Sequence, residues 1–175
     1  MLLNLIRDRR SIRKYTDKPV EQKKVELLIE AGLRSPSSRS LNPWEFIIIT
    51  DKKILKELSC SKPHGASFLK NAPLGIAVIA DPERCDAWIE DSSIASTYIQ
   101  LAAQSIGLTS CWIQIRKRFY KDEITAKSRV ASILNIPENF QVESIIAIGY
   151  PDEIKKGHKQ ENLLYNKIHY EKFNQ

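Results

Sequence analysis

The sequence predicts a layered domain of the α/β or α+β class, in which helices cover the faces of a sheet. Short apolar runs rich in β-branched residues, such as "FIIIT" and "LGIAVIA", are typical of strands that are covered on both sides. Segments of helical period alternate with these runs, as a layered fold requires. The chain has 175 residues, of which 42% are hydrophobic and 27% charged, so it suits one domain with a buried core.

The first half of the chain begins with an amphipathic helix over residues 20–36. Val25, Leu28 and Ile29 recur there at helical spacing, and Pro36 ends the pattern. Further along, the patterns predict a buried strand at 44–50, a short helix at 51–59 and a second buried strand at 72–81.

The second half begins with a long helix from about Glu90 to Ser105, which Gly107 is well placed to end. Its apolar stripe consists of Ile94, Tyr98, Leu101 and Ala102. Its small residues allow close packing, and a subunit interface is one place where such packing would occur. The patterns then predict a strand at 110–115, a helix at 125–135 and a strand at 141–150, closed by Pro151.

Residues 1–175 are expected to form a single domain, because neither a repeat nor a Pro/Gly/Ser-rich linker divides the chain. The tail over 152–175 is polar and has no apolar stripe of its own. We therefore expect the tail to lie on a partner subunit.

The composition excludes several classes of function. The three cysteines and three histidines are scattered, so neither a disulfide framework nor a metal site is expected. The N-terminus does not resemble a signal peptide, and the apolar runs are too short to span a membrane, so a cytoplasmic protein is expected. Because hydrolase, kinase and Rossmann motifs are missing, the reactive group is expected to come from a cofactor.

The densest charge lies in "RRSIRK" at residues 9–14. Arginine guanidinium groups suit phosphate oxygens, and a serine hydroxyl adds one further donor. On charge alone, a solvated run is the favoured interpretation, since most charge runs of this kind are solvated. The net charge of +6 also permits nucleic acid, but the chain has neither an aromatic-interleaved basic strand nor a recognition helix, so no nucleic-acid partner is expected.

Three further segments carry polar groups beside predicted strands. "SPSSRSLNPWEF" at 35–46 precedes a buried strand, although its residues also suit an ordinary turn, and Trp44 is expected in the core. "GLTSCWIQIRKR" at 107–118 could present backbone amides to a flat heterocycle, whereas Cys111 is expected to be a buried small side chain. "IGYPDEIKKGHKQ" at 148–160 adds lysines after a turn, and solvated lysines are the simpler interpretation.

Taken in order, these segments resemble the FMN-dependent nitroreductase family over nearly the whole chain. The resemblance rests on "RRSIRKYTDKPV", then "SPSSRSLNPWEFIII", "SCWI" and "IGYPDE" at the expected spacing. It implies an α+β, nitroreductase-like three-layer α/β/α fold with a central, mostly antiparallel sheet. It also implies an intertwined homodimer with FMN at the interface, small-molecule acceptors and no membrane partner.

The resemblance assigns roles in FMN binding to residues of this chain. Arg13 would lie near the N1–O2 edge of the flavin and tune its reduction potential electrostatically, without a dedicated acid or base. The phosphate and ribityl chain would be held by Arg9, Arg10 and Ser11, with Lys156 and Lys159 as further candidates. The ring would be contacted by the backbone of Trp112, Ile113 and Gln114 and, from the other subunit, by Pro36, Ser37, Ser38, Ser40 and Asn42.

The implied activity is electron transfer by a ping-pong mechanism from NAD(P)H, through FMN, to nitroaromatic, quinone or similar acceptors. Ser40 and Asn42 replace the longer side chains common at those positions in the family, and Gln114 stands where many relatives have glycine. A relative with another flavin task, such as reductive dehalogenation or flavin breakdown, therefore stays open, as does an FMN-binding protein without a substrate.

Overall fold

The computed structural model describes residues 2–173. The helices are α1 (Leu2–Asp8), α2 (Gln22–Leu33), α3 (Lys52–Leu58), α4 (Trp88–Ser105) and α5 (Ala126–Leu134). The strands are β1 (Trp44–Ile49), β2 (Leu74–Ala80), β3 (Thr109–Gln114), β4 (Phe119–Lys121), β5 (Ile124–Thr125) and β6 (Gln141–Gly149). Every strand and helix that the patterns predicted is present, with boundaries shifted by a few residues.

The main sheet has four strands in the order β1-β2-β6-β3, and each neighbouring pair is antiparallel. β2 is buried along its whole length and β6 along nearly all of it, as their unbroken apolar runs predicted. β1 and β3 form opposite edges, so three interstrand spacings, about 14 Å, separate them.

Helices cover both faces of this sheet. On one face, α2 and α4 bury Val25, Leu28 and Ile99 against alternate residues of β2 and β6. On the other face, α3 and α5 bury Leu55 and Val130 against the remaining residues of the same strands. The predicted α+β fold with three layers and an antiparallel sheet is thus confirmed.

The helix boundaries have local causes. The Asp51 carboxylate accepts the amide N–H of Lys53 at 2.6 Å and begins α3, and the Thr125 hydroxyl accepts the amide N–H of Ser128 at 3.0 Å and begins α5. Asn135 ends α5 at φ 54°, a left-handed conformation that asparagine tolerates.

The apolar stripe predicted for α4 does not face the core. Ala95, Ile99 and Ala103 are buried against the sheet, whereas Ile94 and Tyr98 are 37% and 41% exposed. Small residues form the buried side because the helix packs close to the strands; the hydroxyl of Ser96, for example, lies 3.1 Å from that of Ser144 on β6. Ile94 and Tyr98 are left on the outer surface of the single chain, whereas Ile99 is the large apolar residue of α4 that packs on the sheet.

Two elements were not predicted. α1 is seven residues long and has no buried residue, so it lacks a core-facing pattern. β4 and β5 form a short hairpin inside a run of charged residues. Trp44 is in the core as expected, stacked on Phe46 with ring centroids 5.1 Å apart. Among the helices of residues 2–173, none is long and apolar enough to cross a membrane.

Candidate cofactor site at the sheet edge

Residues 9–14, called the basic segment from here on, lie along the outer edge of β3. Ser11 forms a parallel bridge with Ser110, and the amide N–H of Ile12 donates to the carbonyl of Ser110 at 3.2 Å. Beyond this bridge, Tyr15 pairs with Pro151 in an antiparallel sense. The segment therefore extends the sheet by a short irregular strand.

A buried tyrosine anchors the segment to the sheet. The Tyr15 hydroxyl donates to the carbonyl of Ile12 at 2.6 Å and lies 3.2 Å from the carbonyl of Ala147 on β6. Burial raises the pKa of Tyr15 far above its ordinary value, so the phenol keeps its proton and remains a donor. The hydroxyl fixes the backbone from which the basic side chains project.

The chain after β6 returns to the basic segment and adds a lysine. The Lys155 ammonium donates to the carbonyl of Ser11 at 3.0 Å and pairs with the Glu153 carboxylate at 3.0 Å. Glu153 also accepts the amide N–H of Arg13 at 2.6 Å. This amide, and then Lys155, lower the pKa of Glu153. The next residue of the returning chain, Lys156, accepts a hydrogen bond on its carbonyl from the Arg10 guanidinium.

The positive groups converge on the Cys111 thiol, which is 1% exposed. Burial raises the pKa of Cys111. Arg13 opposes that rise most, followed by a hydrogen bond from Ser11 and then by Lys155 and Arg9. These groups come from two segments far apart in sequence, the basic segment and the chain after β6.

The next part of the β3 edge is open. Backbone groups alternate along a strand, so Trp112 and Gln114 direct theirs to the same side as Ser110. The Lys62 ammonium donates to the carbonyl of Gln114 at 2.9 Å, and burial, followed by the charge of Arg118, lowers the pKa of Lys62. The amide N–H of Trp112 thus lies between cations on both sides.

The side chain of Gln114 is held inside the protein. Its amide oxygen accepts the indole N–H of Trp112 at 2.9 Å, and its amide nitrogen lies 3.1 Å from the carbonyl of Arg116 and 3.3 Å from the Glu143 carboxylate. Glu143 is also paired with Arg116 at 2.9 Å. Burial raises the pKa of Glu143, and the Gln114 amide and Arg116 only partly offset this rise.

The serine-rich loop, residues 36–42, lies before β1 and away from the basic segment. The amide N–H of Ser38 donates to the buried Asp91 carboxylate at 2.9 Å, in the first turn of α4, and Arg39 pairs with Asp86. The Ser37 hydroxyl donates to the side-chain oxygen of Asn42 at 2.7 Å and accepts the backbone N–H of Asn42 at 3.0 Å. The loop then enters β1, with Pro36 and Ser40 exposed to solvent.

The loop and the basic segment occupy diagonal corners of the sheet. β1 begins at the same end of the sheet where β3 finishes. The residue pairs that show this are Trp44 with Ala80, Ala80 with Gln141, and Gln114 with Ser144. Ser110 is level with Leu74 through Ile148, and Leu74 lies six residues from Ala80 along β2, so the diagonal is about 24 Å. A serine or asparagine side chain cannot span that distance, so the two groups cannot meet in one chain.

The structure also places the remaining predicted residues. Ile113 is fully buried in the core, and its backbone groups, which alternate with those of Trp112 and Gln114, point to β6. Lys156 is exposed and contributes a carbonyl, while the Lys159 ammonium lies 3.2 Å from Glu161. Lys155 and Lys62 were not predicted as site residues from the sequence. Both lie outside helices and strands, so no periodic pattern indicates the direction of their side chains.

This arrangement can hold an anion beside a flat, hydrogen-bonding ring. Arg9, Arg10 and Lys155 supply positive charge at one end of the β3 edge, and the amide N–H of Trp112 supplies a donor further along. Within residues 2–173, no group of three His, Cys, Asp or Glu side chains could hold a metal ion.

Fold and site together define an α+β protein with a cationic edge beside an open strand, and the comparisons identify its family. The model of the nitroreductase family matches residues 6–62 and 60–150. The chain therefore belongs to the nitroreductase family, and the resemblance seen in the sequence is confirmed.

Three relatives are similar along most of their length. An FMN-dependent nitroreductase from Clostridium difficile R20291 superposes with a TM-score of 0.96 at 48% identity, covering 98% of this chain and 99% of that one. A protein of Archaeoglobus fulgidus, provisionally named NADH dehydrogenase/NAD(P)H nitroreductase, is 34% identical over 98% of both chains. A Methanothermobacter thermautotrophicus protein with the same provisional name is 36% identical over 87% of this chain and 78% of its own.

The buried carboxylate beside Gln114 predicts a pH dependence of stability. A raised pKa in the folded state stabilises the fold while Glu143 is protonated, and this contribution is lost as pH rises from 4.5 through the raised value. Wild type should therefore lose stability relative to Glu143→Gln across that window, as measured by urea unfolding between pH 4 and pH 8. The exposed Glu138→Gln variant controls for loss of a carboxylate. If the difference in the free energy of unfolding between wild type and Glu143→Gln does not change with pH, the raised pKa of Glu143 is contradicted.

Proposed function

We propose that the protein is a flavin-dependent NAD(P)H oxidoreductase that binds FMN along the open edge of β3. The observation that carries this proposal is the pairing of the basic segment with the edge of β3 at Ser110, where the Lys155 ammonium also donates to the carbonyl of Ser11. The family match and the FMN-dependent relative support the same cofactor.

The residues present fit FMN. Arg9, Arg10 and Ser11 would hold the phosphate and ribityl chain, with Lys155 as the nearest further cation, and Lys156 and Lys159 remain candidates. The backbone from Trp112 to Gln114 would face the ring. Within residues 2–173, the Glu153 carboxylate contacts this segment and is engaged by the amide of Arg13 and by Lys155, so it does not leave an unpaired negative charge beside the anion.

FMN, when bound, accepts a hydride from NAD(P)H and then passes electrons to a nitroaromatic, quinone or similar acceptor, so that donor and acceptor use one site in turn. Arg13 places its charge beside the β3 edge and stacks over Phe68, with its guanidinium 5.7 Å from the ring centroid. A cation held there stabilises negative charge on a neighbouring ring. The fixed backbone of the segment keeps this charge in position.

The same site requires a homodimer. The loop containing Pro36, Ser37, Ser38, Ser40 and Asn42 lies too far from the basic segment to share a ligand with it inside one chain. In a dimer, the loop of one subunit would meet the basic segment of the other. Apolar residues on the outer side of α4 and in the tail, including Ile94, Tyr98, Tyr170 and Phe173, supply surface for such an interface.

Two narrower points belong to the same proposal. The tail from residue 152 would pack on the partner subunit, because beyond Lys155 its described side chains are almost all exposed in the single chain.

A cytoplasmic location is supported by three free cysteines, which suit a reducing compartment. A related flavin task, or FMN binding without turnover, is the alternative, and steady-state NADH oxidation with a quinone separates these.

Cofactor loading tests the proposed function directly. The purified protein should be yellow or should take up added FMN, and its absorbance near the visible flavin maximum should bleach when NADH or NADPH is added under nitrogen. A quinone should then restore the colour. A colourless protein that takes up no FMN would overturn the proposal, and FMN binding without bleaching would favour the non-catalytic alternative.

Arg13 should affect the chemistry more than the affinity. Arg13→Ala removes the charge beside the β3 edge but leaves the backbone amide that Glu153 holds. We expect the rate of flavin reduction, measured by anaerobic stopped flow, to fall about tenfold or more, with a smaller change in the FMN dissociation constant. Lys14→Ala, an exposed cation of the same segment, is the control. Equal losses in rate and affinity for Arg13→Ala would argue against the tuning role.

A further inference from the structure

A second basic feature lies where β3 ends. A cavity of about 450 Å³ opens between the turn after β3, the first residue of α4 and the start of α5. Its lining includes Trp88, Arg116, Lys117, Arg118, Phe119 and Lys127, but no aspartate or glutamate. This is the part of "GLTSCWIQIRKR" that the cofactor site does not use.

Three of these cations are available to a ligand. Arg116 is occupied by Glu143 at 2.9 Å. Lys117, Arg118 and Lys127 have no ion pair within residues 2–173, and the Lys127 ammonium donates to the carbonyl of Glu138 at 3.1 Å. Like charges held around one cavity repel unless an anion enters, so the cavity is suited to a negatively charged group.

The backbone holds these cations in place. Lys117 adopts φ 55° in a turn closed by a hydrogen bond of 3.1 Å from the amide of Arg118 to the carbonyl of Ile115. The amide of Ala126 then donates to the carbonyl of Arg118 at 2.8 Å and joins the turn to the N-terminus of α5. The dipole of that nine-residue helix adds to the positive potential.

Two aromatic side chains complete the cavity. Trp88 is half-buried at the start of α4, and Phe119 is 59% exposed in the hairpin. Exposed aromatic rings beside cations favour a ligand that combines a planar ring with an anion. A nucleotide has both features, with a base for the rings and phosphates for the lysines and arginine.

The cavity lies near the end of the β3 edge that contains Gln114. Arg118 follows Gln114 by four residues, so their Cα atoms lie within about 14 Å of each other. Arg118 is also near enough to Lys62, which contacts the β3 edge, to lower the pKa of that lysine. A ligand with one end at the β3 edge could therefore place a phosphate among these cations.

We propose that this cavity binds the phosphate-bearing adenosine half of a pyridine dinucleotide and selects NADPH over NADH. The inference rests on the proposed function, because it takes the nicotinamide half to reach the flavin at the β3 edge. The 2′-phosphate of NADPH carries the additional negative charge that Lys117, Arg118 and Lys127 can neutralise. NADH lacks that phosphate and gains less from the same cations.

Direct binding tests the proposal without turnover. Calorimetric titration of the protein with 2′,5′-ADP at low salt should give a dissociation constant at least tenfold lower than titration with 5′-AMP. Lys117→Gln/Arg118→Gln should weaken 2′,5′-ADP binding at least tenfold. The control Lys23→Gln/Lys53→Gln removes the same charge from exposed helix positions and should leave that binding unchanged. In the FMN-loaded enzyme, the same pair of substitutions at 117 and 118 should raise KM for NADPH much more than KM for NADH.

Several results would overturn this inference. They are equal affinity for 2′,5′-ADP and 5′-AMP, unchanged affinity in Lys117→Gln/Arg118→Gln, and displacement of 2′,5′-ADP by an equimolar concentration of inorganic phosphate. Failure of the proposed function is distinguishable, since a protein that takes up no FMN can still be titrated with 2′,5′-ADP. Selective binding in such a protein would support the nucleotide site while removing the flavin chemistry.

Discussion

The site depends on the pairing of the basic segment with the free edge of β3. The bridge between Ser11 and Ser110 sets the register, and the buried Tyr15 hydroxyl keeps the segment against β6. The same backbone also receives the chain after β6, through Lys155. Two distant stretches of sequence therefore deliver cations to one strand edge, and loss of that pairing would scatter them.

This concentration of charge has an energetic consequence. Cations that share one edge repel one another, and Glu153 is the carboxylate that the described contacts place among them. An anionic ligand would relieve that repulsion, so cofactor binding and local order at the segment should be coupled. The cavity beyond β3 likewise brings several cations together, from a different set of side chains.

The sequence predicted the elements whose side chains meet the core in a regular period. β2 and β6 were found because both faces are covered, and α2 because Val25 and Leu28 repeat at helical spacing. α1 escaped prediction because nothing in it is buried in the single chain. The outward stripe of α4 was mistaken for its core face because small residues, with little apolar surface, form the side that packs on the sheet.

The cofactor site was predictable to a smaller degree. Arginines near a serine suggested an anion, although a solvated run was the favoured interpretation of the charge alone, and their role at a phosphate stays a prediction. Nothing in an irregular tail indicates that Lys155, rather than its neighbours, turns toward Ser11. Gln114 was expected beside the ring through its backbone, and this stays a prediction; its half-buried side chain contacts Trp112 and Glu143. The role of the serine-rich loop came from the family resemblance and also stays a prediction, since the diagonal of the sheet shows only that the loop cannot reach the basic segment of its own chain.

The central claim is that each cofactor site combines the basic segment of one subunit with the loop of the other. Mixed dimers, isolated with two different affinity tags, test it through their FMN content. Pairing an Arg9→Ala/Arg10→Ala chain with a Ser40→Asp/Asn42→Asp chain leaves one intact shared site, so we expect one FMN per dimer. Placing all four substitutions in one chain, paired with wild type, damages both shared sites, so we expect almost none. The reverse result, no FMN in the first dimer and one in the second, would show that a single chain builds the site and would contradict the account.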